Sequence, residues 1–289
     1  MNESSPLASL IKGVREGDLN MVRQLLAADN RLLTLRESSE EGWAAIHHAA
    51  ADGHGAIMNF LLDAGSSPDL PSGSDEDGDG SFTPGTRPLA IAAWKNHPAL
   101  ANILLSRGAD PNGADYFDHS AVHVAVTHKH GPFLNLLLAH GANPDLFSNR
   151  RHCDEELDWY FYGSALHVAA NGNAVEATRT LLAHGAKLNE CWIDDRTPLF
   201  YAAARGSSEV ARLLLQAGAL PNARESRQCY TVCVDYTPLH YAALNGHAAT
   251  VKALLEHGAD KTFQDTRTKM TPLGLALQQG HADVVSLLK

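Results

Sequence analysis

The sequence has few cysteines, few aromatic residues and no long apolar run. Its four cysteines, Cys153, Cys191, Cys229 and Cys233, are too few and too scattered to hold together a disulfide-built fold, so we expect reduced thiols. No apolar run approaches the roughly 20 residues of a membrane-spanning helix, and the first thirty residues mix charge with glycine, unlike a secretory signal. These absences predict a cytoplasmic or nuclear protein without a membrane partner.

Basic residues are also in the minority. The chain has 23 Lys and Arg against 33 Asp and Glu, which gives a formal net charge of -10. Such a chain repels a nucleic-acid backbone on average and attracts a protein that carries a basic patch. Hydrophobic residues make up 44% of the chain, which is enough to bury a continuous core. We therefore expect a folded protein whose partner is a protein or peptide and not a nucleic acid.

Sequence motifs that carry catalysis are absent as well. The chain contains no GxSxG elbow, no HExxH helix, no GxxxxGKS/T loop and no GxGxxG after a strand. The sequence therefore predicts no catalytic residues, no resident metal and no cofactor.

One sequence unit recurs along the chain. Residues 237–260 read TPLHYAALNGHAATVKALLEHGAD, and close copies begin at Thr197, Ser164 and Ser120. Residues 7–33 keep the helical pattern without the signature, as a polar end cap would. Weaker copies begin at positions 44, 87 and 271. Such self-similarity predicts stacked helical hairpins that bury their apolar faces against one another.

The opening of the unit predicts the start of a helix. Thr237 can cap a helix by accepting a hydrogen bond from a backbone N–H, and Pro238 fits the first helical turn, where its missing donor is harmless. Thr197 and Thr271 occupy the same position in their copies. Gly246 suits a left-handed turn that ends the first helix, so each unit is predicted to be a tight pair of antiparallel helices.

The TPLHxAA, GH, LLL and GAD-PN elements of these units resemble the ankyrin-repeat family over nearly the whole chain. The resemblance implies an all-α solenoid of about eight stacked helix-turn-helix units with hairpin finger loops in a single domain, 1–289. The expected units are a capping repeat at 5–40 and repeats at 41–69, 84–112, 113–145, 163–189, 190–222, 235–260 and 261–289.

Three fingers are predicted to be extended by insertions, at 70–83, 146–162 and 223–234, and all three project from one rim. The first is acidic and rich in glycine and serine, and we expect it to be disordered. The second carries an aromatic run, Trp159 to Tyr162, that either folds back onto the fingers or contacts a partner. The third carries Cys229 and Cys233.

Metal chemistry receives only weak support from the sequence. Twelve of the sixteen histidines fall at recurrent positions of the repeat, and the others are His48, His119, His128 and His152. His152 with the finger cysteines could bind a metal, although buried thiols explain the cysteines equally. Asp75, Asp77 and Asp79 match the opening of a calcium loop, but Thr86 replaces the final Glu, and a solvated acidic loop is the alternative.

The resemblance also implies a concave groove, formed by the fingers and the first helices, whose residues select the partner. The predicted partner-binding residues are Trp43, Asp52, Trp94, Lys95, Tyr116, Phe117, His128, Trp192, Arg205 and Tyr236. Trp, Tyr and Arg commonly anchor protein interfaces. Trp192 has an alternative role in packing between neighbouring fingers, as do Tyr201 and Tyr241.

Trp94 is the strongest of these candidates, because no framework requirement explains an indole at its position. The other copies carry Ala51, Thr127, Asn171, Ala204, Leu244 and Gln278 there. The sequence thus predicts a non-catalytic adaptor or scaffold that holds a protein or peptide in an aromatic and acidic concave groove. The alternative is a small-molecule-binding or metal-binding protein, with or without enzymatic activity, whose site lies where the second and third insertions meet the groove. Acid and base groups for such activity would converge across the concave face, toward which Asp52, His128 and Arg205 point.

Overall fold

The computed structural model describes residues 5–38, 42–73, 85–115, 119–148, 163–191, 195–225 and 235–289. These residues form two compact units, drawn from Met1–Asn143 with Ser148–His152 and from Pro144–Phe147 with Cys153–Lys289. The first and second units, as we call them, are considered separately below.

The described part of the first unit contains four pairs of α-helices and a short 3-10 helix at Asn30–Leu33. The helices are α1 (Pro6–Arg15), α2 (Leu19–Ala28), α3 (Ala45–Asp52), α4 (Gly55–Asp63), α5 (Pro88–Lys95), α6 (Pro98–Ser106), α7 (Ala121–Thr127) and α8 (Gly131–Ala139). Helices α1, α3, α5 and α7 pack side by side in that order, and α2, α4, α6 and α8 do the same. This arrangement is a stack of helical hairpins.

The second unit repeats the pattern. Its helices are α9 (Ala165–Asn171), α10 (Val175–Ala183), α11 (Pro198–Arg205), α12 (Ser208–Gln216), α13 (Pro238–Leu244), α14 (Ala248–Glu256), α15 (Pro272–Gln279) and α16 (Ala282–Leu288). The first helices α9, α11, α13 and α15 pack in sequence, as do their partners α10, α12, α14 and α16. Two short strands, β1 (Phe147–Ser148) and β2 (Gly163–Ser164), border residues 149–162. The predicted all-α class is confirmed.

Small and branched apolar side chains fill the core between neighbouring hairpins. Ala242 and Ala243 of α13 are fully buried, and so are Leu254 of α14 and Leu214 of α12. Alanines let adjacent first helices approach closely, while the leucines of the second helices interlock with those of the next repeat. Each hairpin therefore depends on its neighbour to cover its apolar surface.

At the helix starts, the threonine hydroxyls do not all accept a backbone hydrogen bond as predicted. The hydroxyl and the backbone N–H of Thr237 both donate to Nδ1 of His240, at 2.8 and 3.2 Å, so the imidazole is the acceptor there. Thr271 does accept from a backbone N–H, that of Gly274, at 3.0 Å. The prediction was wrong for Thr197, whose buried hydroxyl makes no hydrogen bond in the described part of the chain.

Gly246 occupies the left-handed turn that ends α13, as predicted. Its φ is +74°, and a side chain there would place its Cβ 2.7 Å from Nδ1 of His281 in the following repeat. The imidazole of His281 in turn donates from Nε2 to the carbonyl oxygen of Leu244, at 3.0 Å. The glycine is required both by the backbone conformation and by the close approach of this histidine.

Most of the recurrent histidines are structural, as the sequence predicted. In the GH position, His97 donates to the carbonyl oxygen of Ala51 and His247 donates to that of Ala204, each at 3.1 Å. These hydrogen bonds tie one repeat to the carboxyl end of the preceding first helix. His240, at the fourth position of the motif, bonds locally as described above.

A second series of hydrogen bonds joins the turns that precede the fingers. Oδ1 of Asn222 accepts from the backbone N–H of Asp260 at 2.8 Å, and Oδ1 of Asn112 accepts from that of Asn143 at 2.7 Å. Each side chain thus satisfies a backbone donor in the next repeat. This contact explains why Asp or Asn recurs in the GAD-PN element.

Candidate functional site

The first helices of the first unit end in side chains that reach solvent. Asp52 ends α3, Lys95 ends α5 and His128 follows α7, and all three are exposed. Trp94 precedes Lys95 and is half-buried. Because α3, α5 and α7 pack side by side, these four residues form a row, which we call the recognition row. The structure thus brings together four of the predicted partner-binding residues.

Trp94 and Lys95 form a local cation–π pair within this row. Nζ of Lys95 lies 3.8 Å from the centroid of the Trp94 ring. An ammonium group in this position is attracted by the negative face of the indole, which restricts the orientation of the lysine. The pair therefore presents an aromatic edge and a positive charge at the end of α5.

His128 extends the row with an imidazole that stacks on a second histidine. The centroids of the His128 and His130 rings are 5.7 Å apart, and the planes differ by 23°. His130 is held by a hydrogen bond from Nδ1 to the carbonyl oxygen of Ala93, at 2.8 Å. Burial, together with the adjacent His130, lowers the pKa of His128 below its usual value. His128 is consequently uncharged at neutral pH.

An open groove of about 530 Å³ lies beside Asp52 in the first unit. Its charged walls are Lys12 and Arg15 of α1, Glu16 directly after that helix, and Glu37 and Asp52. Lys12 and Glu16 form a loose ion pair at 3.9 Å, and both side chains are largely exposed. The groove is shallow and carries both charges, which suits a polypeptide segment better than an enclosed small molecule.

Trp43 lies below the surface, although the sequence placed it among the finger residues that face a partner. Only 5% of it is exposed. Its ring stacks on that of His47 at 6.3 Å and meets His48 edge-on at 5.1 Å. Nε2 of His48 in turn lies 2.8 Å from Oε1 of Glu37. Burial lowers the pKa of His47 to about 4, so this cluster holds a neutral imidazole beneath the groove.

The equivalent positions of the second unit are used differently. Arg205 at the end of α11 is exposed, and its Nε donates to Oδ1 of Asn171 at 2.8 Å. Asn245, which follows α13, donates from Nδ2 to the carbonyl oxygen of Ala204 at 3.0 Å. Both side chains therefore link one first helix to the preceding one. Arg205 keeps exposed surface for a partner despite this bond.

A buried polar cluster joins successive fingers of the second unit. Glu225 is almost fully buried, and its Oε2 accepts from Nε of Arg196 at 2.7 Å. The hydroxyl of Tyr241 donates to Oε1 of the same carboxylate at 2.7 Å, while Nη2 of Arg196 donates to that hydroxyl at 2.6 Å. The sequence analysis missed this cluster. Its charge is internally compensated, so it stabilises the fingers and offers no open site.

Tyr236 belongs to the same finger region. Its ring stacks on His240, with centroids 5.0 Å apart and planes 8° apart, and it meets Tyr241 edge-on at 5.8 Å. Burial raises the pKa of the Tyr236 hydroxyl. Tyr201 similarly meets His167 edge-on at 5.6 Å. The packing role considered for Tyr201 and Tyr241 is therefore the one that the structure shows, and Tyr236 shares it.

Asp265 and Asp235 join the last two fingers, because each carboxylate accepts a hydrogen bond from the backbone of the other finger. Asp265 is fully buried, and Oδ1 accepts from the backbone N–H of Asp235 at 2.9 Å, while Oδ2 accepts from the hydroxyl of Thr268 at 2.6 Å. Oδ1 of Asp235 accepts from the backbone N–H of Thr266 at 2.7 Å. Burial acts to raise the pKa of Asp265, but these hydrogen bonds outweigh it and hold the pKa at about 2.

Several candidates lie outside the described residues. These are the predicted partner contacts Tyr116, Phe117 and Trp192, the acidic series Asp75, Asp77 and Asp79, and His152 with Cys153, Cys229 and Cys233. Cys191 is described as an exposed free thiol whose pKa is raised by burial and by the nearby Asp195 and Glu190. Among the described residues, no three His, Cys, Asp or Glu side chains are grouped so as to hold a metal ion.

The described helices are short, and none combines the length and apolar character needed to cross a membrane. Paired helices joined by tight glycine turns, with finger loops bonded from one repeat to the next, define a helical-repeat protein. A family model for ankyrin repeats matches residues 10–115, 122–225 and 226–289. The chain belongs to the ankyrin-repeat family, as the sequence motifs indicated.

Relatives of the chain are longer proteins of several kinds. BCL-6 corepressor-like protein 1 of Homo sapiens is 28% identical over 57% of this chain and 8% of its own length. Probable E3 ubiquitin-protein ligase XBOS32 of Oryza sativa subsp. japonica is 32% identical over 45% of this chain and 24% of its own. NF-kappa-B inhibitor delta of Mus musculus is 39% identical over 22% of this chain and 19% of its own.

The chain therefore spans at most about a quarter of each of these relatives. Ankyrin repeats generally serve as modules for protein–protein interaction, and most members of the family are not enzymes. One relative nevertheless carries the name of a ligase, so the family alone does not decide the activity of a whole protein.

Proposed function

We propose that this protein is a non-catalytic adaptor or scaffold that binds a protein or peptide through the recognition row of the first unit. The exposure of Trp94 beside Lys95 is the observation that carries this proposal. Asp52 and His128 complete the row, and Arg205 provides a separate exposed contact in the second unit. The proposed location is the cytoplasm or the nucleus.

The character of Trp94 supports recognition rather than packing. The side chain is partly exposed at the end of a first helix whose preceding residues, Ala92 and Ala93, already fill the core. Large aromatic side chains at partly exposed positions are the residues that most often dominate the free energy of binding at interfaces. An indole at this point gives a partner apolar area.

The charge of the surface supports a partner with a basic patch. The chain carries a net charge of -10, and the groove beside the recognition row includes the carboxylates of Glu16, Glu37 and Asp52. Opposite charges on the partner would speed association and favour one orientation. Lys95 and Arg15 add positive charge locally, so we expect the bound segment to be basic overall but to include an acidic residue.

The other predicted contacts take different places in this proposal. Trp43 and Tyr236 contribute through packing, because each ring stacks on a histidine. Tyr116, Phe117 and Trp192 remain proposed finger contacts. The names of two relatives, a corepressor-like protein and an inhibitor, denote proteins that act on other proteins, which is consistent with an adaptor role.

The test compares two half-buried aromatic residues of the first unit. Trp94 lies at the end of a first helix, whereas Phe60 lies on the second helix α4, with Arg23 placed 5.4 Å from its ring centroid. Binding peptides would be selected from a randomised library on the wild-type chain, and their dissociation constants measured by fluorescence polarisation. We expect Trp94→Ala to weaken binding by more than about 1 kcal/mol and Phe60→Ala to leave it unchanged.

Thermal unfolding of both variants serves as the control for folding. Trp94→Ala is expected to shift the melting temperature only slightly, because Ala92 and Ala93 fill the core at this helix end and the indole is partly exposed. A large loss of stability with unchanged affinity would show that Trp94 is a core residue and would overturn the proposal. Equal losses of affinity in Trp94→Ala and Phe60→Ala would also contradict it.

A further inference from the structure

Three asparagines of the chain are followed directly by glycine: Asn112, Asn171 and Asn245. In this dipeptide the backbone nitrogen of the glycine can attack the side-chain amide carbon of the asparagine, because glycine has no side chain to hinder the approach. The reaction requires that this nitrogen be free and that the backbone be able to rotate. The three sites differ in both respects.

Asn171 is protected by helical structure. It is the last residue of α9, and the N–H of Gly172 donates to the carbonyl oxygen of Val168 at 2.9 Å. Its own Oδ1 accepts from Nε of Arg205 at 2.8 Å. The attacking nitrogen and the amide that it must reach are thus both held in place.

Asn112 is protected by packing. Its Oδ1 accepts from the backbone N–H of Asn143 at 2.7 Å, and the N–H of Gly113 donates to the carbonyl oxygen of Asp110 at 3.1 Å. Gly113 is buried, whereas Gly246 is only half-buried. The backbone at Gly113 has little room to rotate toward the amide carbon.

Asn245 is held least firmly. It is exposed, whereas Asn112 and Asn171 are half-buried. The N–H of Gly246 donates to the carbonyl oxygen of Ala243 at 3.3 Å, the longest of the three glycine bonds. The side chain is anchored by its Nδ2, which donates to the carbonyl oxygen of Ala204 at 3.0 Å. The exposure of Asn245 and the long hydrogen bond of the Gly246 N–H therefore rank this site as the most reactive of the three.

We propose that Asn245 is a site of spontaneous deamidation, at which the chain acquires a negative charge with age. A bond forms between the nitrogen of Gly246 and Cγ of Asn245, and the bond from Cγ to Nδ2 breaks. The proton of the Gly246 nitrogen leaves with the amide as ammonia, which yields a cyclic imide. Water then opens the imide to aspartate or isoaspartate at position 245, with no oxidant or other reagent consumed.

The new carboxylate would disturb the contact between α11 and α13. In the unmodified protein the carbonyl oxygen of Ala204 accepts from both Nδ2 of Asn245 and Nε2 of His247. Deamidation removes the first donor and brings a carboxylate oxygen toward that carbonyl oxygen, which is repulsive. The reaction also adds a charge at the end of a first helix, the position that carries recognition in the first unit.

The test is peptide mapping of the full chain by mass spectrometry during incubation in mildly alkaline buffer made with ¹⁸O-water. The heavy oxygen marks the residues that deamidate during the incubation. We expect Asn245 to react several-fold faster than Asn112 and Asn171 in the folded chain, and all three to react at similar rates in urea. Faster reaction at Asn112 or Asn171, or no reaction at Asn245 in the folded chain, would overturn the proposal.

Three variants separate the effect of side-chain anchoring from the effect of the new charge. Arg205→Ala removes the partner of Asn171 and is expected to raise the rate at Asn171 while leaving that at Asn245 unaltered. Asn245→Asp mimics the aspartate product, and Asn245→Ser removes the same donor without adding a charge. We expect Asn245→Asp to unfold at a lower urea concentration than Asn245→Ser. Equal midpoints would show that the charge has no effect on the contact with Ala204.

Discussion

The two units share one repeat frame but employ their polar side chains differently. At the ends of the first helices in the first unit, Asp52, Lys95 and His128 are exposed. At the same positions in the second unit, Arg205 bonds to Asn171 and links neighbouring repeats. The frame does not need these positions for its core, so each unit can use them either to recognise a partner or to strengthen the stack.

The fingers of the second unit are also joined by polar side chains, and these are buried. Glu225, Arg196 and Tyr241 form a buried cluster across two fingers, and Asp265 with Asp235 locks the next pair. The first unit has two buried pairs, His48 with Glu37 and His119 with Asp115. In the second unit the buried polar contacts extend from finger to finger, which is the difference that the predictions below address.

The largest effect on stability is expected from a substitution in the buried cluster of Glu225, Arg196 and Tyr241. Glu225→Ala leaves the Arg196 guanidinium and the Tyr241 hydroxyl without their acceptor, and the side chain of Arg196 is only 22% exposed. Removing one member of a buried ion pair commonly costs 3 kcal/mol or more, so we expect a loss of about 3 kcal/mol in the free energy of unfolding. Urea unfolding followed by circular dichroism measures it.

Glu209 provides the matched control for this substitution. It pairs with Arg179 and Arg212 at 3.0 and 3.2 Å, but its side chain is 45% exposed. We expect Glu209→Ala to cost less than about 1 kcal/mol. If the two substitutions cost the same, the cluster does not distinguish the second unit.

The next largest effect is a pH dependence of stability that arises from the hydrogen-bonded carboxylate of Asp265. Because the folded pKa of about 2 lies below the usual value of Asp, its contribution to stability is fully present above about pH 4 and is lost as the pH falls toward 2. Asp265→Asn should therefore cost about 1–2 kcal/mol at neutral pH and progressively less in acid. Asp283 of α16 is exposed, so Asp283→Asn is the control, and an equal pH dependence in both variants would contradict this assignment.

The smallest effect compares the two sets of first-helix ends directly. Asp52 makes no ion pair or hydrogen bond through its carboxylate among the residues that the structure describes, so Asp52→Asn should change stability by less than about 0.5 kcal/mol. Arg205→Ala removes the bond to Asn171 and should cost about 0.5–1 kcal/mol. Conversely, Asp52→Asn should slow association with a basic partner. A larger loss of stability in Asp52→Asn than in Arg205→Ala would contradict the contrast between the units. Faster association of Asp52→Asn with a basic partner would contradict it too.

The repeat architecture was predictable because it rests on local chemistry repeated many times. Pro238 and Gly246 mark the start and end of a helix wherever their copies occur. Thr197 shows the limit of this reasoning. Its repeat carries Phe200 where four other copies carry histidine, so the imidazole that accepts from Thr237 in a neighbouring copy is missing there.

The polar contacts between fingers were not predictable in the same way. Arg196 and Glu225 are 29 positions apart in the chain, and Glu225 stands at the base of an insertion that follows no repeat pattern. Trp43 precedes its helix by two positions, and the register alone did not reveal that its ring turns inward onto His47 and His48. Burial at such positions depends on the loops around them, which periodicity does not encode.

The central claim is that recognition belongs to the ends of the first helices in the first unit. Hydrogen–deuterium exchange of the full chain, with and without a saturating selected peptide, tests it most directly. The account predicts slower exchange in peptides that contain Asp52, Trp94 and His128, with little change in α4 and α6. Protection confined to α4 and α6, or to the second unit, would contradict it.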